Sequence, residues 1–106
     1  HEPFGIAITE SMYFGCPVFA TPYGSLPEIV DTESGVLSNS SQELADAIKN
    51  GSFDSDKIHQ RVMDCFSVTV MVKDFVKLYE KVMNGETLNA KKPLKPEPEE
   101  RFLPFN

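Results

Sequence analysis

The chain begins HEPFGIAITE, and these ten residues include the types that binding chemistry needs. Glu2 and Glu10 stand eight residues apart, with Pro3, Phe4, Gly5 and Ile6 between them. An ionised carboxylate only accepts hydrogen bonds, so it can take two from a vicinal diol. Gly5 sits where a loop turns into an apolar helix. The N–H groups at a helix N-terminus, with the dipole behind them, favour a phosphate, and a glycine lets a ligand come close. Glu10 falls about one turn inside that helix, and Glu2 lies on the loop before it. The segment therefore offers an acceptor, a cradle of donors and a second acceptor. A sugar, a diphosphate and a ribose need that order. The same residues also read as two solvent-exposed acids near a helix start, where acids are favoured in any case.

Other reactive types carry less. His1 has no assigned role, and His59 falls on a helix with no partner in sight, so it is expected to be exposed. Thr9 and Ser11 flank Glu10 as core-facing or solvated hydroxyls. Tyr23 and Gly24 form a turn after a strand, at the edge where open α/β sheets bind ligands, so a backbone contact there is a further candidate. Glu28 is expected to hold local structure. Cys16 and Cys65 are far apart and match no metal or redox spacing, which implies buried thiols in a reducing, cytoplasmic compartment. Sixteen acids against ten bases, a net charge of −6, exclude a nucleic-acid surface. No apolar run approaches the length of a membrane span, and no signal peptide is visible.

The elements that must position these residues follow from pattern. GIAITESMYFG predicts a helix of about ten residues closed by Gly15. CPVFAT is a short buried strand with Pro17 at its first position. PYGS is a turn, LPEIV a helical turn, DTESG a turn, and GVLS a brief strand. SSQELADAIKN is a helix capped by Ser40 or Ser41, with Glu43 in capping-box spacing and Leu44 and Ile48 on one face. SDKIHQRVMDCFS places Ile58, Val62, Cys65 and Phe66 on one stripe. In VTVMVKDFVKLYEKVMNG, Val68, Met71, Val72, Phe75, Leu78, Tyr79 and Val82 recur at helical spacing, which predicts a buried face. After Gly85 the chain holds four of its eight prolines and many charges, so 86–106 is expected to be an extended or disordered tail. Its end, RFLPF, is apolar enough to dock. Strands alternating with helices indicate a parallel α/β sheet, but two strands do not make one that stands alone. A preceding part of the domain is therefore expected.

The stretch HEPFGIAITESMYFGCPVFATPYGSLPEIV resembles the signature of retaining glycosyltransferases with the two-domain GT-B architecture, the family 4 or group 1 type. The matching positions are Glu2, Phe4, Gly5, Glu10, Ser11, Met12, Gly15, Pro17, Val18, Ala20, Thr21, Gly24, Pro27, Glu28, Ile29 and Val30. SGVL and ELADAI resemble the next strand and helix of the family, and Phe66–Ser67 with the long helix resembles its closing segment. Val68 stands where the family often has tryptophan, and Ser25 where a second glycine is common. The resemblance runs from residue 1 to about 84.

The resemblance implies a partial doubly wound, Rossmann-like parallel sheet with a helix-rich C-terminal half. Residues 1–85 would be the second half of a GT-B C-terminal donor-binding domain, and 86–106 a Pro-rich charged tail. It implies a nucleotide-sugar donor, UDP-, GDP- or ADP-linked, whose hexose passes to an acceptor. Glu2, Pro3, Phe4, Gly5, Ile6 and Glu10 would hold that donor. Glu2 would be the catalytic position, acting by orienting and stabilising. Transfer in the family is assigned to front-face attack, the departing phosphate taking the acceptor's proton. No metal and no cofactor is implied. An Arg and a Lys that stabilise the leaving diphosphate are also implied, yet no lysine or arginine precedes Lys49. The isolated chain is therefore expected to be inactive, its missing N-terminal part supplying those cations and any peripheral membrane association. An unpaired strand edge predicts a homodimer. The alternative is a non-catalytic α/β binding or interaction module that keeps the signature.

Overall fold

A computed structural model of the chain describes residues 4–92 and 105–106. His1, Glu2, Pro3 and residues 93–104 lie outside the described residues. The elements run α1 (Ile6–Tyr13), β1 (Val18–Ala20), α2 (Leu26–Ile29), β2 (Gly35–Leu37), α3 (Ser41–Asn50), α4 (Ser55–Phe66) and α5 (Val68–Met83). The strands pair in parallel, with Val18 opposite Gly35, Phe19 opposite Val36 and Ala20 opposite Leu37. The architecture is α/β and helix-rich, as the alternating pattern predicts.

The core forms where α1 packs on α4 beside the strands. Met12, Ile29, Val30, Ile58 and Val62 are buried together, with Ile8, Val18, Leu37, Phe53 and Phe66 packed against them. Ile8 and Met12 are four residues apart, so they share the inward face of α1 and leave Ile6 and Glu10 on the outward one. Arg61 then locks α4 to the end of α2. Its Nε donates to the Ile29 carbonyl at 2.8 Å, and its guanidinium meets the Asp31 carboxylate at 2.7 Å.

Helix starts follow the sequence with one refinement. Ser40 caps α3, accepting from the Glu43 amide. A capping box would send the Glu43 carboxylate to the Ser40 amide. Instead that amide donates to Ser38 Oγ at 3.0 Å, and the Ser38 hydroxyl donates to Glu43. The box closes through a relay. Asp54 caps α4 through the amides of Asp56 and Lys57. Ser67 alone ends α4 and caps α5.

Several burial expectations fail. α5 buries none of its residues, and Phe75, Met71 and Val82 are about half exposed. The one-residue break at Ser67 swings α5 away, and its main packing partner is α4. Ile48 shares the Leu44 face of α3 but stands in its last turn and is exposed, while Leu44 is half-buried. Cys16 and Cys65 are both exposed free thiols, not buried ones. Cys65 keeps the helical spacing of Ile58 and Val62 but lies in the last turn of α4 and is exposed there. β1 is half-buried rather than buried, with β2 its one strand neighbour among the described residues.

Of the tail, Glu86–Lys92 forms neither helix nor strand. The expected docking segment RFLPF falls mostly outside the described residues. Asn106 pairs by backbone with Asn39 and Ser41, its amide donating to the Asn39 carbonyl at 2.6 Å.

Candidate functional site

The first strand and first helix meet at two glycine turns. Gly5 precedes α1 with φ 88° and ψ 45°, a left-handed conformation that costs a side-chain-bearing residue about 1–2 kcal/mol. The carbonyl of Gly5 accepts from the amides of Ile8 and Thr9, both at 3.0 Å. No side chain caps this terminus, and the amides of Ile6 and Ala7 make no hydrogen bond among the described residues. Two donors are thus left at the positive end of the helix dipole. Gly5 itself is buried, while Phe4 and Ile6 are exposed.

The second turn, Thr21 to Ser25, follows β1 at the C-terminal edge of the sheet. Gly24 there has φ 66°. Ser25 Oγ donates to the Phe4 carbonyl at 2.7 Å and fastens this turn to the loop before α1. Ser25 stands at the N-cap position of α2, yet its side chain makes no cap bond to that helix. The hydroxyl is directed to Phe4 instead. That cross-loop role has no signal in the sequence beyond the replacement of a common glycine.

Glu10 is exposed on the outward face of α1, about 7.5 Å along the axis from Gly5. Side chains on a helix lean toward its N-terminus, so Glu10 lies on the side of the two available amides. Its carboxylate has no hydrogen-bond or ion-pair partner among the described residues. Phe4, Gly5, Ile6 and Glu10 thus share the start of α1, and the bond from Ser25 holds the Tyr23–Gly24 turn to the Phe4 end of it. Glu2 and Pro3 lie outside the described residues. Thr9 is not a ligand group here, since its hydroxyl donates to the Ile6 carbonyl at 2.8 Å. Glu28 does hold local structure, its carbonyl accepting from Arg61 at 3.3 Å.

Two other readings change. His59 is half-buried rather than exposed: its Nδ1–H donates to the Tyr13 carbonyl, and its ring sits 4.7 Å from that of Tyr13. It ties α4 to the last turn of α1. Asp54 and Asp56 form the chain's single Asp-x-Asp spacing, against the expectation that the sequence holds no such ligand pair. The Asp54 carboxylate is taken up by the amides of Asp56 and Lys57 in capping α4.

The Asp31 turn shapes the floor beneath α2. Asp31 Oδ1 accepts from the amides of Ser34 and Glu33 at 3.0 and 3.2 Å. Burial pushes the Asp31 carboxyl up, but the Ser34 hydroxyl, Arg61 and those two amides outweigh it and hold the group below its ordinary value.

The arrangement suits an anion at the start of α1 and a hydroxyl-bearing group over Glu10. A family model described as "Glycosyl transferases group 1" matches residues 1–62, more than half of the chain. No curated protein and no solved structure matches it.

Proposed function

Because the chain belongs to the group 1 glycosyltransferases, we propose that its opening segment binds the donor, a nucleoside diphosphate sugar, for a retaining hexosyl transfer of the GT-B, family 4 kind. The observation that carries this reading is the start of α1. A left-handed glycine opens a helix with no side-chain cap, and an unpartnered carboxylate stands one turn along. The diphosphate would take the amides of Ile6 and Ala7. Glu10 would accept both hydroxyls of the ribose. Glu2 would reach the hexose at the other end, orienting it and stabilising charge as the bond to phosphate breaks. Pro3 and Phe4 would line the loop between them, and the turn at Tyr23 and Gly24 would face the nucleotide.

The donor's negative charge needs cations that this site does not contain. No lysine or arginine precedes Lys49, and Arg61 is committed to Asp31 and to the end of α2. We infer that they come from another part of a longer enzyme. Residues 1–85 would supply part of its donor domain, and 86–106 a tail. Among the described residues no helix is long and apolar enough to cross a membrane.

The test is Glu10→Gln, which keeps size but turns one acceptor into a donor facing a diol. Loss of a charge-assisted bond costs on the order of 1.5–3 kcal/mol, so affinity for the preferred member of a UDP-, GDP- and ADP-sugar panel should fall roughly ten- to hundredfold. Equal affinity for the two proteins removes Glu10 from the site.

A further inference from the structure

The candidate site has two halves, and one side chain outside both bears on how they meet. The start of α1 is fixed by the core, where Ile8 and Met12 pack with Ile58 and Val62 of α4. The other half, the Thr21–Ser25 turn, runs straight into α2, which is only four residues long. A single helical turn does not hold itself by its own hydrogen bonds. Leu26 and Ile29 are buried, so packing keeps α2 in the fold. Apolar packing is non-directional, however, and the last carbonyls of a helix need partners from elsewhere.

Arg61 of α4 supplies them. Its Nε donates to the Ile29 carbonyl at 2.8 Å, and its Nη2 donates to the Glu28 carbonyl at 3.3 Å. Its Nη1 meets the Asp31 carboxylate at 2.7 Å. One planar guanidinium thus grips three positions at the end of α2, a fork that a lysine cannot copy. The side chain is 24% exposed, so water screens these bonds little. The neighbouring tie from α4, Lys57 to Glu33, lies between two exposed side chains and is worth little. At the opposite end of α2, the Ser25 hydroxyl donates to the Phe4 carbonyl at 2.7 Å. α2 is therefore a short strut, held by Arg61 at one end and bonded to the loop before α1 at the other.

We propose that Arg61 is a positioning residue. By gripping the end of α2 it sets where Ser25 meets Phe4, and so how the Tyr23–Gly24 turn stands beside the start of α1. Its effect on a nucleotide donor rests on the reading of the site given above; its effect on the two turns does not.

The test compares Arg61→Met, Arg61→Lys, Ser25→Ala and the Arg61→Met/Ser25→Ala double variant by amide-resolved NMR of the 106-residue chain. Methionine keeps much of the apolar stem beside the Phe66 ring but loses the fork. Without nucleotide, Arg61→Met should move the amides of Gly5, Tyr23 and Gly24, the first because it adjoins the Phe4 carbonyl. Titrated with UDP, GDP and ADP, it should bind about three- to tenfold more weakly, since the turn is in place for a smaller fraction of the time. Arg61→Lys should recover only part of both effects. In the Ser25→Ala background Arg61→Met should add little, because the connection is already cut. A purely structural role would lower the melting temperature and leave the Gly5 amide and the nucleotide midpoint where they were, which would overturn the proposal. So would a double variant whose losses add in full. Should Arg61→Met unfold the chain, Arg61→Lys with and without Ser25→Ala decides by the same comparison. If the unsubstituted chain binds no nucleotide, the donor reading fails, while the Gly5, Tyr23 and Gly24 amides still decide the role of Arg61.

Discussion

Replacing Gly35 by alanine should break the pairing of β1 with β2. A Cβ at Gly35 would stand 2.0 Å from the Val18 carbonyl oxygen, and 2.8 and 2.9 Å from its carbonyl carbon and amide nitrogen. These are backbone atoms, so no side chain can swing aside. Real Cβ contacts stay beyond 3.0 Å, and the strands must part by about 1.0 Å, the difference between 3.0 and 2.0. The amide of Val18 donates to the Ser34 carbonyl at 2.9 Å. Opened by that much it leaves hydrogen-bonding range, which costs about 1 kcal/mol. Forcing the methyl into a filled space costs about 1–3 kcal/mol more. The stiffer unfolded chain returns about 0.4–1 kcal/mol. Gly35→Ala should therefore destabilise by about 1–4 kcal/mol, which lowers the urea midpoint by roughly 1–2 M. Far-ultraviolet circular dichroism against urea measures it. A variant within about 0.5 kcal/mol of the original would refute the parallel pairing of Val18 with Gly35.

Asp31→Asn should destabilise the chain near neutral pH and lose its effect in acid. The folded-state value of Asp31 lies below the ordinary 3.8, so its contribution is present above that value and is lost as pH falls through the folded one. Urea melts of both proteins near pH 6 and near pH 2.5 check this, and an equal gap at both would contradict it. Its side chain is 39% exposed, so the effect should be modest. Ser25→Ala removes the tie to Phe4 and should cost about 0.5–1 kcal/mol of stability. Its larger consequence should be weaker donor binding, visible in a titration, because the loop before α1 is released. Unchanged binding would mean that the two turns are positioned independently.

Local rules were legible where a residue acts on its own neighbours in sequence. Gly5 before an apolar run, Ser40 with Glu43, and Pro27 in the first turn of α2 each marked a boundary that the fold keeps. The order of helices and strands followed, and with it the parallel pairing. What the sequence did not disclose depends on which surfaces meet. The stripe on α5 has the period of a buried face, but period says nothing about whether a partner is present. The thiols of Cys16 and Cys65 read as buried because they match no metal or redox spacing, yet both are exposed, since the lack of a motif does not say which surfaces pack. His59 found its partner in Tyr13, 46 residues away, and the hydroxyl of Ser25 reached Phe4, 21 residues away. Such contacts are set by the docking of α4 on α1 and of one turn on another, and no local spacing encodes them. The candidate site was legible for Gly5 and Glu10 because one short helix carries both.

The central claim is that the start of α1 holds a diphosphate beside Glu10. Amide-resolved NMR titration of the 106-residue chain with UDP, GDP and ADP, extended to millimolar concentration, tests it most directly. The expected result is saturable movement of the Ile6 and Ala7 amides, with Gly5, Glu10 and the Tyr23–Gly24 turn following at the same midpoint for at least one nucleotide. Amides at the start of α1 that stay fixed, or shifts confined to other helix termini such as Ser41 and Ser55, would contradict the claim.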